Sequence, residues 1–80
     1  MSIAIQIYTI EKTLFEGKAD ALTLPGADGE LGVLQTHIPL ISSLKRGSIK
    51  IRNGKDETFI DINGGFVEIQ SESRVVVLAS

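Results

Sequence analysis

The sequence contains no cysteine and no tryptophan, only two prolines, and a single histidine. Without cysteine there is neither a disulfide staple nor a thiolate metal site, so the fold must rest on apolar packing, as suits a reducing compartment. Aromatic residues are also scarce. Tyr8, Phe15, Phe59 and Phe66 are the whole set, and the pattern around them puts most of them in the core. Charge of one sign is missing too: eight basic residues lie scattered among ten acids, for a formal net charge of −2. That balance leaves no electrostatic footprint for nucleic acid or anionic lipid. The start, Met1-Ser2-Ile3-Ala4-Ile5-Gln6-Ile7, has no basic leader, no long apolar run and no small-residue cleavage site, which argues against a signal peptide or a transmembrane span.

What is present is a short aliphatic chain. Eighty residues, 42% of them hydrophobic, make one domain spanning residues 1–80, with no repeat, low-complexity tract or linker. The apolar residues are mostly Ile, Val, Leu and Ala, and the β-branched ones favour strands. Ile3, Ile5 and Ile7 alternate with Ala4, Gln6 and Tyr8, the period of two that sends one row inward and the other outward. Leu14-Phe15 forms a short apolar knot, and Ala19 to Leu24 is a further strand ended by Pro25-Gly26. Val33-Leu34 is short. His37 to Leu44 also fits a helical turn, but Pro39 makes it an edge strand. Ile49 and Ile51 alternate with polar neighbours up to Asn53-Gly54, and Phe59 to Ile62 follows. That arrangement predicts a hairpin whose type I′ turn has Asn53 and Gly54 at its centre. Gly64-Gly65 breaks the chain before Phe66 to Gln70. Arg74 to Ala79 closes it with Val75-Val76-Val77-Leu78, apolar on both faces and so expected in the middle of the fold or against a partner. Eight or nine short strands without a helical period predict an all-β fold, a flattened β-sandwich or barrel.

The residues that could carry chemistry are few. His37 is the only histidine, and Ser42 and Ser43 form no recognisable nucleophile motif with it, so no catalytic residue is expected. One histidine and no cysteine leave only carboxylates for a metal, and Asp28 with Glu30 lacks the ligand count of a calcium loop, so no metal is expected either. The glycines at 26, 29 and 32 lack the helix start and the Lys-Ser or Lys-Thr end of a phosphate loop. They mark a tight turn or a backbone that must approach something closely. Around that turn stand Leu31, Val33, Leu34, Ile38, Leu40 and Ile41, more apolar side chains than a small core needs there, which points to exposed binding surface.

The run Leu24-Pro25-Gly26-Ala27-Asp28-Gly29-Glu30-Leu31-Gly32-Val33-Leu34, followed by His37, Pro39, Leu40 and Ile41, closely resembles the epsilon subunit of F-type ATP synthases. Three further blocks agree in order and spacing. Glu11-Lys12 with Leu14-Phe15-Glu16-Gly17 is similar to that family's opening, Gly47 with Ile49 and Ile51-Arg52 to its middle hairpin, and Gly64-Gly65-Phe66-Val67-Glu68-Ile69 to its late strand. The chain departs at Gln35-Thr36, where many relatives carry Pro-Gly.

The resemblance implies a sandwich of about ten short strands and a non-catalytic central-stalk subunit with no cofactor and no small-molecule substrate. Its partners would be the gamma subunit and the ring of c subunits, with the membrane met only indirectly, at the cytoplasmic face of the bacterial inner membrane. It would couple ion-driven rotation to ATP synthesis. By position, Asp28, Gly29, Glu30 and Leu31 look like the c-ring contact, and His37, Ile38 and Pro39 like part of the gamma and c-ring surface. The family usually continues into a carboxy-terminal helical domain that restrains hydrolysis, whereas this sequence stops at Ser80, so coupling and assembly roles without that brake are expected. The alternative from another class is a stand-alone OB-like barrel that binds an oligonucleotide. It would need a basic groove and surface aromatics for stacking.

Overall fold

The computed structural model describes residues 2–34, 39–71 and 73–80. Among them there is no helix, and nine strands form one strongly curled, nearly closed sheet: β1 (Ile3–Tyr8), β2 (Thr13–Ala19), β3 (Ala21–Gly26), β4 (Gly29–Val33), β5 (Leu40–Leu44), β6 (Gly47–Asn53), β7 (Asp56–Ile62), β8 (Gly65–Gln70) and β9 (Arg74–Ala79). The order across the sheet is β2-β1-β9-β8-β5-β3-β6-β7, with β4 paired to β3 off that path. The all-β sandwich expected from the sequence is therefore present.

Alternation explains most of the strands. Ile3, Ile5 and Ile7 are fully buried, as are Leu22 and Leu24 on β3, Ile49 and Ile51 on β6, Val67 on β8, and Val75 and Val77 on β9. The core is aliphatic throughout, and no polar side chain is buried among the described residues. β9 lies between β1 and β8, pairing parallel with the first and antiparallel with the second. Its two apolar faces suit that central place.

Three expectations need correction. Most of the aromatics are not in the core: Phe59 and Phe66 are exposed and Tyr8 is half-buried, while Phe15, also half-buried, packs against it. Tyr8, Phe59 and Phe66 sit on the outward register of strands whose inward register is already filled by Ile or Val, so the period of two sends these rings out, whereas Phe15 stands opposite buried Ile7 on the inward face. Secondly, β5 is an edge only in part: it runs beside β8 for its full length, and its other side is unpaired until Leu44, where a single bridge to Gly26 joins it to β3. Pro39 precedes it rather than lying within it, so no ladder hydrogen bond is lost. Thirdly, Asn53 pairs with Asp56, which leaves Gly54 and Lys55 as the central turn residues. Only Gly54 has a positive φ, 60°, the requirement at the first central position of a type II′ turn rather than at both positions of a type I′ turn.

The registers sort the turns into two ends. One end carries the β1–β2 turn, the β3–β4 turn at Ala27-Asp28, the β5–β6 turn at Lys45-Arg46, the β7–β8 turn at Asn63-Gly64, and Ser80. The other carries the β2–β3 corner at Asp20, the β6–β7 hairpin tip and the β8–β9 turn.

Candidate functional site

The glycine-rich turn is a tight hairpin tip braced from the side. Gly26 pairs with Gly29, leaving only Ala27 and Asp28 between the strands. Gly29 adopts a φ of 138°, which favours glycine. Two backbone bonds fix the tip to the neighbouring segment: the Ala27 amide donates to the Ser43 carbonyl at 3.0 Å, and the Lys45 amide to the Pro25 carbonyl at 2.8 Å. Asp28, Gly29 and Glu30 are exposed, whereas Leu31 is half-buried and packs on the core. The turn is thus a rigid platform that presents two carboxylates, anchored behind by one leucine. Lys45 and Arg46, also exposed, belong to the adjoining turn, so this end shows charges of both signs.

Pro39, the one described member of the second group of expected site residues, does not cluster with the tip. Pro39 is exposed and lies just before β5, while Leu44 at the far end of that strand meets Gly26. At the rise of a strand, five residues separate them by about 17 Å. His37 and Ile38 lie outside the described residues. Of the surplus apolar residues, Val33 is buried, Leu31 and Leu40 are half-buried, and Leu34 and Ile41 are 61% and 73% exposed. The spare apolar surface read from the sequence is therefore present in part.

A second feature escaped the sequence reading. Tyr8, Leu78, Phe66 and Ser43 stand side by side across β1, β9, β8 and β5 on the outer face. Gln6, Val76, Glu68 and Ile41 form the next row. Phe66 is 60% exposed and Leu78 45%. At the end of the first row, Ile10 is 95% exposed in the β1–β2 turn. Its position is fixed by Thr9, whose amide donates to the Lys12 carbonyl at 2.8 Å and whose Oγ1 accepts from the Glu11 and Lys12 amides at 3.2 Å. Ile10, Phe66, Leu78, Leu44, Gly65 and Ser80 line one open apolar groove at the same end as the acidic tip. An isoleucine in an otherwise polar turn was the overlooked signal, since nothing local requires it there.

No group of three His, Cys, Asp or Glu side chains gathers among the described residues. The outer surface of β6 and β7 carries one loose ion pair, Lys50 Nζ to Glu57 Oε2 at 3.7 Å, which at such exposure contributes little.

Residues 2–80 match the family model described as ATP synthase, Delta/Epsilon chain, beta-sandwich domain. Similar proteins include the ATP synthase epsilon chain of Desulforamulus reducens, 43% identical over 75 residues that make up 94% of this chain and 56% of the relative. That of Polynucleobacter necessarius is 40% identical over 79 residues, 98% of this chain and again 56% of the relative. The chain thus spans a little over half the length of these relatives. Among solved structures, a chain of the Euglena gracilis mitochondrial ATP synthase OSCP/F1/c-ring assembly superposes with a TM-score of 0.90 at 21% identity, covering 98% of this chain and 50% of that one. A chain of the Tetrahymena thermophila mitochondrial ATP synthase central stalk and c-ring gives 0.78 at 16%, covering 99% and 63%. At such identities these two likenesses speak for the fold. By sequence and by fold, the chain belongs to the ATP synthase delta/epsilon family, whose β-sandwich domain it carries.

Proposed function

We propose that the chain is a non-catalytic component of the central stalk of an ATP synthase, held between the gamma subunit and the c-ring so that rotation passes through it. The observation that carries this reading is the apolar outer row of Ile10, Phe66 and Leu78 ending beside the rigid acidic tip of Asp28 and Glu30. The apolar row suits the extended side of a long partner such as gamma, with Ile41 and Pro39 continuing it along β5. The tip suits the polar loops of a ring met end-on. Docked there, the chain is peripheral, at the cytoplasmic face of the bacterial membrane, and meets lipid only through the ring.

The mechanism asks for stiffness rather than chemistry. Torque is transmitted only if the contacting segments do not yield, and both surfaces rest on paired backbone: the tip on β3, β4 and β5, the apolar row on four adjacent strands. An oligonucleotide-binding barrel fits less well. Phe66 and Phe59, the two well-exposed rings, stand on the outer faces of different halves of the sandwich and cannot form one stacking platform.

The direct test is a pull-down of the chain with the gamma subunit of the same synthase, followed by calorimetry on the pair. Tight binding with a clearly negative heat-capacity change is expected for an apolar interface. Absence of binding at micromolar concentrations would sink the gamma assignment.

A further inference from the structure

The sequence contains two Asn-Gly pairs, Asn53-Gly54 and Asn63-Gly64. Such a pair is chemically labile, because glycine has no side chain to shield its backbone nitrogen from the preceding carboxamide. The glycine nitrogen gives up its proton and bonds to the asparagine Cγ. The side-chain nitrogen leaves with that proton as ammonia, and water then opens the cyclic imide to aspartate or isoaspartate.

At the β6–β7 tip both reacting groups are engaged. The Gly54 amide donates to Asp20 Oδ2 at 2.7 Å, and Asn53 Nδ2 donates to the Lys18 carbonyl at 2.9 Å. Asp20 is itself placed by its own amide, which donates to the Arg52 carbonyl at 2.8 Å. The nucleophile must be deprotonated before it attacks. A carboxylate on that proton opposes the loss twice, by occupying the N–H and by placing negative charge beside the anion that would form. The Lys18 carbonyl meanwhile restrains the rotation that would bring Cγ to the glycine nitrogen. Asp20, Asn53 and Gly54 are all exposed, so exclusion of water does not protect the pair. Asn63-Gly64 lies at the opposite end of the sandwich, where Asn63 N donates to the Ser80 carbonyl at 3.1 Å and Ser80 N to the Gly64 carbonyl at 3.0 Å, and Asp20 does not reach it.

We propose that Asn53-Gly54 is a latent deamidation site, held closed in the folded chain by the Asp20 carboxylate and the Lys18 carbonyl. Conversion to isoaspartate would insert a methylene into the backbone where Asn53 pairs with Asp56. It would also add a negative charge beside Asp20, Asp56 and Glu57. Reaction at this one residue would therefore unfasten the corner where β2, β3, β6 and β7 meet.

The test is to incubate the full chain at mildly alkaline pH and follow each asparagine separately by peptide mass spectrometry. The samples are the native chain, the urea-unfolded chain, Asp20→Ala and Asp20→Asn. The expected result is that Asn53 reacts about tenfold or more slowly in the native chain than in the unfolded one, as a charge-assisted hydrogen bond on the nucleophile implies. Asp20→Ala should raise the native rate at Asn53 by about as much while leaving Asn63 unchanged, and Asp20→Asn, which keeps an acceptor but not the charge, should fall between. Equal rates at Asn53 in the native and unfolded chains, or a slower rate in Asp20→Ala, would overturn the proposal. So would equal acceleration at both asparagines, which is the signature of general loosening. If Asp20→Ala does not fold, the comparison of native with unfolded wild-type chain decides alone.

Discussion

Phe66 on β8 and Leu78 on β9 are directly paired across the strands, and both side chains point away from the core in which their neighbours Val67 and Val77 are fully buried. An aromatic and an aliphatic side chain set side by side on an outer face contribute little to folding beyond their mutual contact, and that makes them separable from stability. Phe66→Ser and Leu78→Ser should each change the unfolding free energy by less than about 1 kcal/mol while weakening gamma binding tenfold or more, as expected for anchors near the centre of an interface. Titration calorimetry beside thermal melting distinguishes the two effects. Phe59→Ser, on the other half of the sandwich, should leave gamma binding unchanged.

Glu30 is exposed opposite Pro25 on the hairpin tip. Reversing its charge in Glu30→Lys should weaken docking on the c-ring without unfolding the chain, because an exposed substitution of this kind moves stability by about 0.5 kcal/mol or less. Co-sedimentation with c-ring liposomes checks the first half, and circular dichroism the second. Undiminished docking would remove the tip from the contact.

A Cβ built on Gly26 would lie 2.5 Å from the Gly29 carbonyl oxygen, a backbone atom that cannot swing aside. Gly26→Ala should therefore force the tip open, lowering stability by about 1–3 kcal/mol as overpacking does, with a matching fall in the melting temperature. Weakening of c-ring docking beyond that of Glu30→Lys would show that the shape of the tip matters as well as its charge.

Ile51 is buried at the centre of β6, paired to Leu22 on one side and Thr58 on the other. Ile51→Ala should lose about 2–5 kcal/mol, a large share of the roughly 4–12 kcal/mol available to a chain of this length. Chemical denaturation should show a strongly reduced midpoint or an unfolded chain.

The parts of the fold that could be read from the sequence were those governed by a single period. The isoleucines of β1, Leu22 and Leu24, and the paired apolar faces of β9 all stand where alternation puts them. What could not be read depends on a second strand. Whether Phe66 faces in or out is decided by Val67 claiming the core, and a scarcity of aromatics is no guide to where they lie. The turn at Asn53-Gly54 was visible as a turn, but its register was set by Asn53 joining the ladder with Asp56, helped by its side chain reaching Lys18 in β2. The acidic tip was legible because glycine spacing reports backbone geometry locally. The apolar row was not, since its members come from positions 8 to 78 and meet only once the sheet has curled.

The parallel ladder between β1 and β9 joins residues 4–8 to residues 74–78, and β9 is also the strand on which β8 rests. A chain emerging from the ribosome therefore exposes Ile3, Ile5 and Ile7 with only β2 to cover one edge until residues 74–78 have been made. Closure of so distant a pairing is slow and cannot proceed in step with synthesis. The nascent chain must be shielded or remain dilute during that interval. Closing of the sandwich is thus a folding event that can start only when residues 74–78 are free, so the yield of folded protein should depend on chaperone capacity.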